Sequence, residues 1–170
     1  MITLKKIIVL SIFILLMNSC KTNKYSFLNK YPQKTLPYTD STNFNNHIEG
    51  KLLSDKEQKK LGLESVLGEQ LKANNAKVGV SYLPKISDEF TSVVYYLYTD
   101  NRELTSVLVN YDQEFKIINS QMIAYDEIID DVIKSESMIY KDKIVLKEYI
   151  SENASIIKYD ILKNGDITRE

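Results

Sequence analysis

The chain has 170 residues, a formal net charge of −1, 44% apolar residues and 26% charged ones. That length holds one domain with a real core and excludes two comfortable ones. A lysine excess before residue 47 gives way to an acidic excess after residue 77, which argues against nucleic acid as a partner. The single cysteine, Cys20, excludes an intramolecular disulfide.

The first element is a processing signal. Lys5 and Lys6 open it, Ile7–Met17 is apolar apart from Ser11, and Leu16-Met17-Asn18-Ser19 leads into Cys20. The apolar run is too short for a spanning helix, which needs about 20 residues. A charged start, a short apolar run and small residues before a break describe a secretory signal. Ending on Ser19-Cys20, the segment resembles the lipobox of bacterial lipoproteins. That resemblance implies cleavage after residue 19, a lipid thioether on Cys20 and acylation of the new N-terminus. A plain secretory signal with an incidental cysteine is the alternative, but an odd thiol in an exported chain needs an explanation that lipidation supplies. Two or more acyl chains hold a protein stably on a bilayer where one does not. With Lys21 rather than Asp after the cysteine, and no acidic run following, the resemblance implies the periplasmic face of the outer membrane; a Gram-positive lipoprotein is the other option.

Residues 20–46 are rich in Asn, Thr, Ser and Lys, contain Pro32 and Pro37, and lack apolar periodicity, so they read as a flexible tether. Tyr25, Phe27, Tyr31, Tyr38 and Phe44 are more aromatic than a spacer needs, which allows some of them to dock on the domain. Residues 47–76 read as helical. Ser54-Asp55-Lys56-Glu57 has the capping-box pattern, Gly62 closes a helix ending near Leu61, and Leu63, Val66, Leu67 and Leu71 continue at helical spacing to about Lys72.

From Lys77 the period changes. Val78–Leu83, Thr91–Thr99, Leu104–Tyr111, Phe115–Ala124, Ile128–Ile139, Ile144–Ile150 and Ser155–Leu162 are rich in Val, Ile, Tyr and Thr, separated by short polar breaks. Breaks so short join antiparallel neighbours, and Asn164-Gly165 is the best hairpin turn. The expectation is a mainly β fold: an antiparallel meander of about seven strands, a single curved sheet or open barrel, spanning 77–170 and packed with the helical segment 47–76 as one domain. In Thr91–Thr99 both faces are apolar, so that strand is central. Its end at Tyr96–Asn101 and the turn Asn110–Lys116 look like those of small envelope lipoproteins of the Bacteroidota, a group that implies no activity.

Chemistry is sparse. His47 is the one histidine, whereas zinc sites want two or three His or Cys ligands, and no Gly-x-Ser-x-Gly elbow or phosphate-binding loop is present. No catalytic residue, metal or cofactor is expected. Asp126, Glu127, Asp130 and Asp131 form the densest acidic cluster, readable as a charged strand end or as oxygen ligands gathered on one turn. Tyr96 and Tyr98 share one face of a strand and are the candidates for an exposed aromatic patch. The reading is a membrane-anchored, non-catalytic binding or accessory module, in the manner of an immunity or inhibitor protein, that contacts an envelope protein. The alternative is a carboxylate-based hydrolase acting on cell-wall or sugar substrates.

Overall fold

The computed structural model describes residues 25–72, 75–99, 102–127 and 133–170. The expected signal segment, Cys20, Asp130 and Asp131 lie outside them. Two units divide the chain at Lys30. In the first, Ser26–Lys30 is a 3-10 turn in which the Leu28 amide donates to the Tyr25 carbonyl at 2.9 Å. The second, Tyr31–Glu170, carries everything that follows.

Its elements are β1 (Gln33–Lys34), β2 (Tyr38–Asp40), α1 (Asp55–Lys60), α2 (Glu64–Leu67), β3 (Lys77–Pro84), β4 (Thr91–Thr99), β5 (Glu103–Tyr111), β6 (Ile117–Glu127), β7 (Ile133–Ile139), β8 (Lys143–Ile150), β9 (Asn153–Ile161) and β10 (Ile167–Arg169). The protein is mainly β. One open sheet runs in the order β1-β3-β4-β5-β6-β7-β8-β9-β10, with β2 attached to β7. Every pairing is antiparallel except β1 with β3. From β3 to β10 the strands follow chain order, because two- to six-residue connections leave no room for a crossover.

The meander expected over 77–170 is present as β3 to β9, and the Asn164-Gly165 turn adds β10, with Gly165 at φ +89°. β6 starts at Ile117, two residues later than expected. Phe115 is in the left-handed region at φ +62°, and the Asp112 carboxylate accepts from the amides of Glu114 and Lys116, which holds that turn.

Two bonded faces explain why β4 sits centrally. On one, Val94 with Tyr82 of β3 and Leu108 of β5 meets Ile139, Ile144, Ile161 and Ile167 from the far half of the sheet. The two halves face each other because β6 and β7 share just two residue pairs, Tyr125 with Ser135 and Asp126 with Lys134. Each such aliphatic side chain contributes about 2 kcal/mol by leaving water. Buried polar groups join the halves: Ser92 donates to Asn110 at 2.7 Å, and the Asn110 amide donates to the Gly165 carbonyl at 2.8 Å.

On the other face of β4 and β5, Tyr111 donates its hydroxyl to the Leu61 carbonyl at 3.0 Å. Its one proton being used, the Tyr95 hydroxyl 3.0 Å away is the donor of that pair. The helical segment is thereby fastened to the sheet. Its first helix starts as the sequence indicates: Ser54 Oγ accepts from the Glu57 amide, and Glu57 accepts from the Ser54 amide at 2.9 Å. The second is shorter than its leucine spacing suggests. Gly68 turns to φ +50°, and the chain continues to Lys72 as a 3-10 turn.

The second half of the expected tether belongs to the domain. Gln33 and Lys34 pair with Leu83 and Pro84, and Tyr38–Asp40 pairs with Ser137–Ile139. Residues 33–40 therefore strap β3 to β7. The Tyr38 ring meets the Tyr82 ring edge-on at 4.9 Å, which accounts for an aromatic that a spacer would not need.

A candidate functional site beside the first edge of the sheet

β3 is covered unevenly along its outer edge. At its start, Leu52 bridges to Gly79 and the Leu53 amide donates to the Val78 carbonyl at 2.8 Å. At its end, β1 takes Leu83 and Pro84. Between them Val80–Tyr82 carries a bulge, as sheet edges often do. There a groove of about 450 Å³ opens, lined by Tyr31, Lys34, Tyr38, His47, Ile48 and Lys51 among others. Two of its described lining residues are cationic and none is acidic.

Each wall has its own support. Asp40 is 1% exposed; it accepts from the Tyr82 hydroxyl at 2.6 Å and the Thr42 amide at 2.9 Å. Burial pushes the Tyr82 phenol far above its usual range, and the Asp40 charge and hydrogen bond add to the rise. The Lys34 ammonium sits 4.9 Å from the centre of the Tyr38 ring. The His47 ring meets Tyr96 edge-on at 4.8 Å. Burial lowers the His47 pKa, against a smaller opposing pull from Glu49, so at neutral pH this imidazole is an uncharged aromatic wall. Ile48, at 87% exposed, stands on the rim.

The raised Tyr82 pKa has a measurable consequence. In the unfolded chain tyrosine loses its proton near pH 10.0, while folded Tyr82 keeps it. Stability from this group is therefore complete below pH 10 and declines as pH rises above it, because the unfolded state then binds fewer protons. A pH series of urea unfolding should show an alkaline decline that Tyr82→Phe makes shallower. An unchanged slope would contradict the assignment.

The residues singled out from sequence fall elsewhere. Tyr96 is 1% exposed and corrects the expectation of an exposed patch. Its ring lies over Gly79, its hydroxyl donates to the Gly50 carbonyl at 3.1 Å, and residues 44–50 lie over that face of β4. Burial raises its pKa. Tyr98, on the same face, is half-buried, with Phe44 at 5.9 Å and the Lys77 ammonium at 5.8 Å from the ring centres. Asp126 accepts from the Phe44 amide at 2.8 Å, and Glu127 accepts from the Tyr125 hydroxyl at 2.6 Å. These two carboxylates thus serve separate donors. Among the described residues, no three His, Cys, Asp or Glu side chains gather as a metal site.

The structure brings together residues that the sequence keeps in three different readings. Tyr31, Lys34 and Tyr38 belong to the expected tether, His47 and Lys51 to the start of the expected helical segment, and Tyr82 to an expected strand. The one hint was the aromatic content of a polar segment. Comparison with protein-family models, with curated proteins and with solved structures finds no match. Fold and site together define a mainly β domain with an aromatic, lysine-flanked groove at its first edge.

Proposed function

We propose that this chain is a non-catalytic envelope lipoprotein, held by lipid on Cys20 at the periplasmic face of the outer membrane, whose groove beside β3 binds an acidic segment of another envelope protein. The observation that carries the binding half of this reading is the groove itself: aromatic walls between two lysines, without a lining carboxylate. Tyrosine and an uncharged His47 offer flat apolar contact with polar tips, which suits recognition surfaces. Lys34 and Lys51 select for negative charge. The lipobox-like run ending at Cys20 carries the anchoring half. From Cys20 to Tyr31 the fully extended chain spans at most about 40 Å, so partners would be close to the bilayer.

A photo-reactive residue in place of Ile48, irradiated in intact envelopes, should trap a defined protein. Lys34→Glu together with Lys51→Glu should reduce that adduct about tenfold, the scale of a coupling near 1.4 kcal/mol. An adduct indifferent to charge reversal would remove the groove from the reading. For the anchor, Cys20→Ala should move the protein out of the membrane fraction, and its retention there would overturn lipidation.

A further inference from the structure

The far edge of the sheet is built differently from the first. β10 covers β9 at Tyr159, Asp160 and Ile161 alone, and the Glu170 amide donates to the Lys158 carbonyl at 3.1 Å. Toward its start, β9 emerges from the Ser151–Glu152 turn, where Ser151 sits at φ 55°. Among the described residues the open stretch is therefore Asn153–Ile157, bounded by a turn at one end and by the Glu170–Lys158 hydrogen bond at the other.

Its bonding direction follows from alternation. The Ile161 amide donates inward to Asp142, and the Lys158 carbonyl accepts from outside. Odd-numbered residues of β9 thus bond to β8, and Ala154 and Ile156 turn their N–H and C=O outward. Among the described residues, nothing is hydrogen-bonded to those outward groups. The side chain of Ile156 is 65% exposed. Natural edges are ordinarily blunted with Lys, Pro or inward charges, and Asn153-Ala154-Ser155-Ile156-Ile157 has none of these.

We infer that this edge pairs with the same edge of a second copy of the chain, antiparallel about a two-fold axis through Ser155. Three observations select that partner and register. Ser155 is the midpoint of the open stretch, so two copies overlap along its full length without displacing β10. With Ser155 opposite itself, Ala154 faces Ile156 of the other copy, and both expose outward backbone groups, giving four exchanged hydrogen bonds by symmetry. The exposed Ile156 side chain is then covered by Ala154 across the axis. Shifting the axis by one residue sets Ala154 opposite Lys158, whose carbonyl is already taken by the Glu170 amide, or Ile156 opposite Glu152 in the turn, and hydrogen bonds are lost.

The test uses the full chain with Cys20→Ser, so that one introduced thiol is present. A residue on the axis is a non-bonded pair with Cα atoms about 4.5 Å apart, within disulfide range. Under mild oxidation Ser155→Cys should yield a disulfide-linked dimer. Asn153→Cys should not, because its two copies lie four positions apart, about 13 Å along the strand. Adding Ile156→Pro removes an outward N–H, which an edge strand tolerates; it should abolish the Ser155→Cys dimer while leaving thermal unfolding unchanged. Absence of a Ser155→Cys dimer, equal linking at 153 and 155, or capture of a different protein in place of a second copy would each overturn self-pairing.

Discussion

Gly79→Ala is expected to destabilise the domain by about 3 kcal/mol, the upper range of overpacking a filled site. A Cβ at Gly79 would overlap the Tyr96 ring at its Cε1, Cζ and hydroxyl. The ring has no free direction of retreat. It is 1% exposed, His47 stands edge-on to it, and its hydroxyl is tied to the Gly50 carbonyl. Making room therefore breaks that bond and disturbs the groove wall. Gly50→Ala is the contrasting case, since its Cβ would meet Val80 O at 3.8 Å and the Tyr96 ring at 3.9 Å, ordinary contacts. Thermal unfolding should drop by roughly 10 °C for Gly79→Ala and barely change for Gly50→Ala. Equal melting of the two variants would mean that the ring is not seated over Gly79.

Asp40→Ala should cost about 3 kcal/mol, because it leaves the Tyr82 hydroxyl and the Thr42 amide without their shared acceptor in a buried place. The interaction is best isolated by a double-mutant cycle with Tyr82→Phe. Removing the hydroxyl as well should recover part of the loss, giving a coupling of about 1.5 kcal/mol between the two positions. Costs that simply add would show that carboxylate and phenol act separately. The same variant loosens the strap over residues 33–40, so the Ile48 adduct should weaken with it. That readout distinguishes a groove held in shape by Asp40 from one indifferent to it.

How much of this was legible in the sequence depended on whether the signal was local. β3 to β9 announce themselves by runs of branched and aromatic residues, and β4 by having apolar side chains on both faces. The Ser54–Glu57 cap and the Asn164-Gly165 turn are four- and two-residue patterns whose chemistry is complete within themselves. The strap is the opposite case. Tyr38-Thr39-Asp40 is too short to show a period, and Asp40 meets its partner Tyr82 42 residues away. Tyr96 and Tyr98 were placed on one face correctly by alternation, yet what covers that face comes from residues 44–50, a stretch without periodicity. His47, the one histidine, showed no sign of joining an aromatic wall for the same reason. Asp126, conspicuous within an acidic run, is spoken for by the Phe44 amide, a backbone group that no composition statistic displays.

The strap also decides how the domain yields to mechanical load. A pull on the N-terminal segment enters the folded unit at Tyr31 and reaches the two-residue β1 first, then the three-residue β2. Both are short ladders at the margin of the sheet, in series with the nine-residue strands β4 and β5 behind them. The weakest links in such a series part first. Tension would peel residues 33–40 from β3 and β7 and uncover the Tyr82 wall while the paired centre of the sheet held, making the strap a fuse between the N-terminal segment and the core.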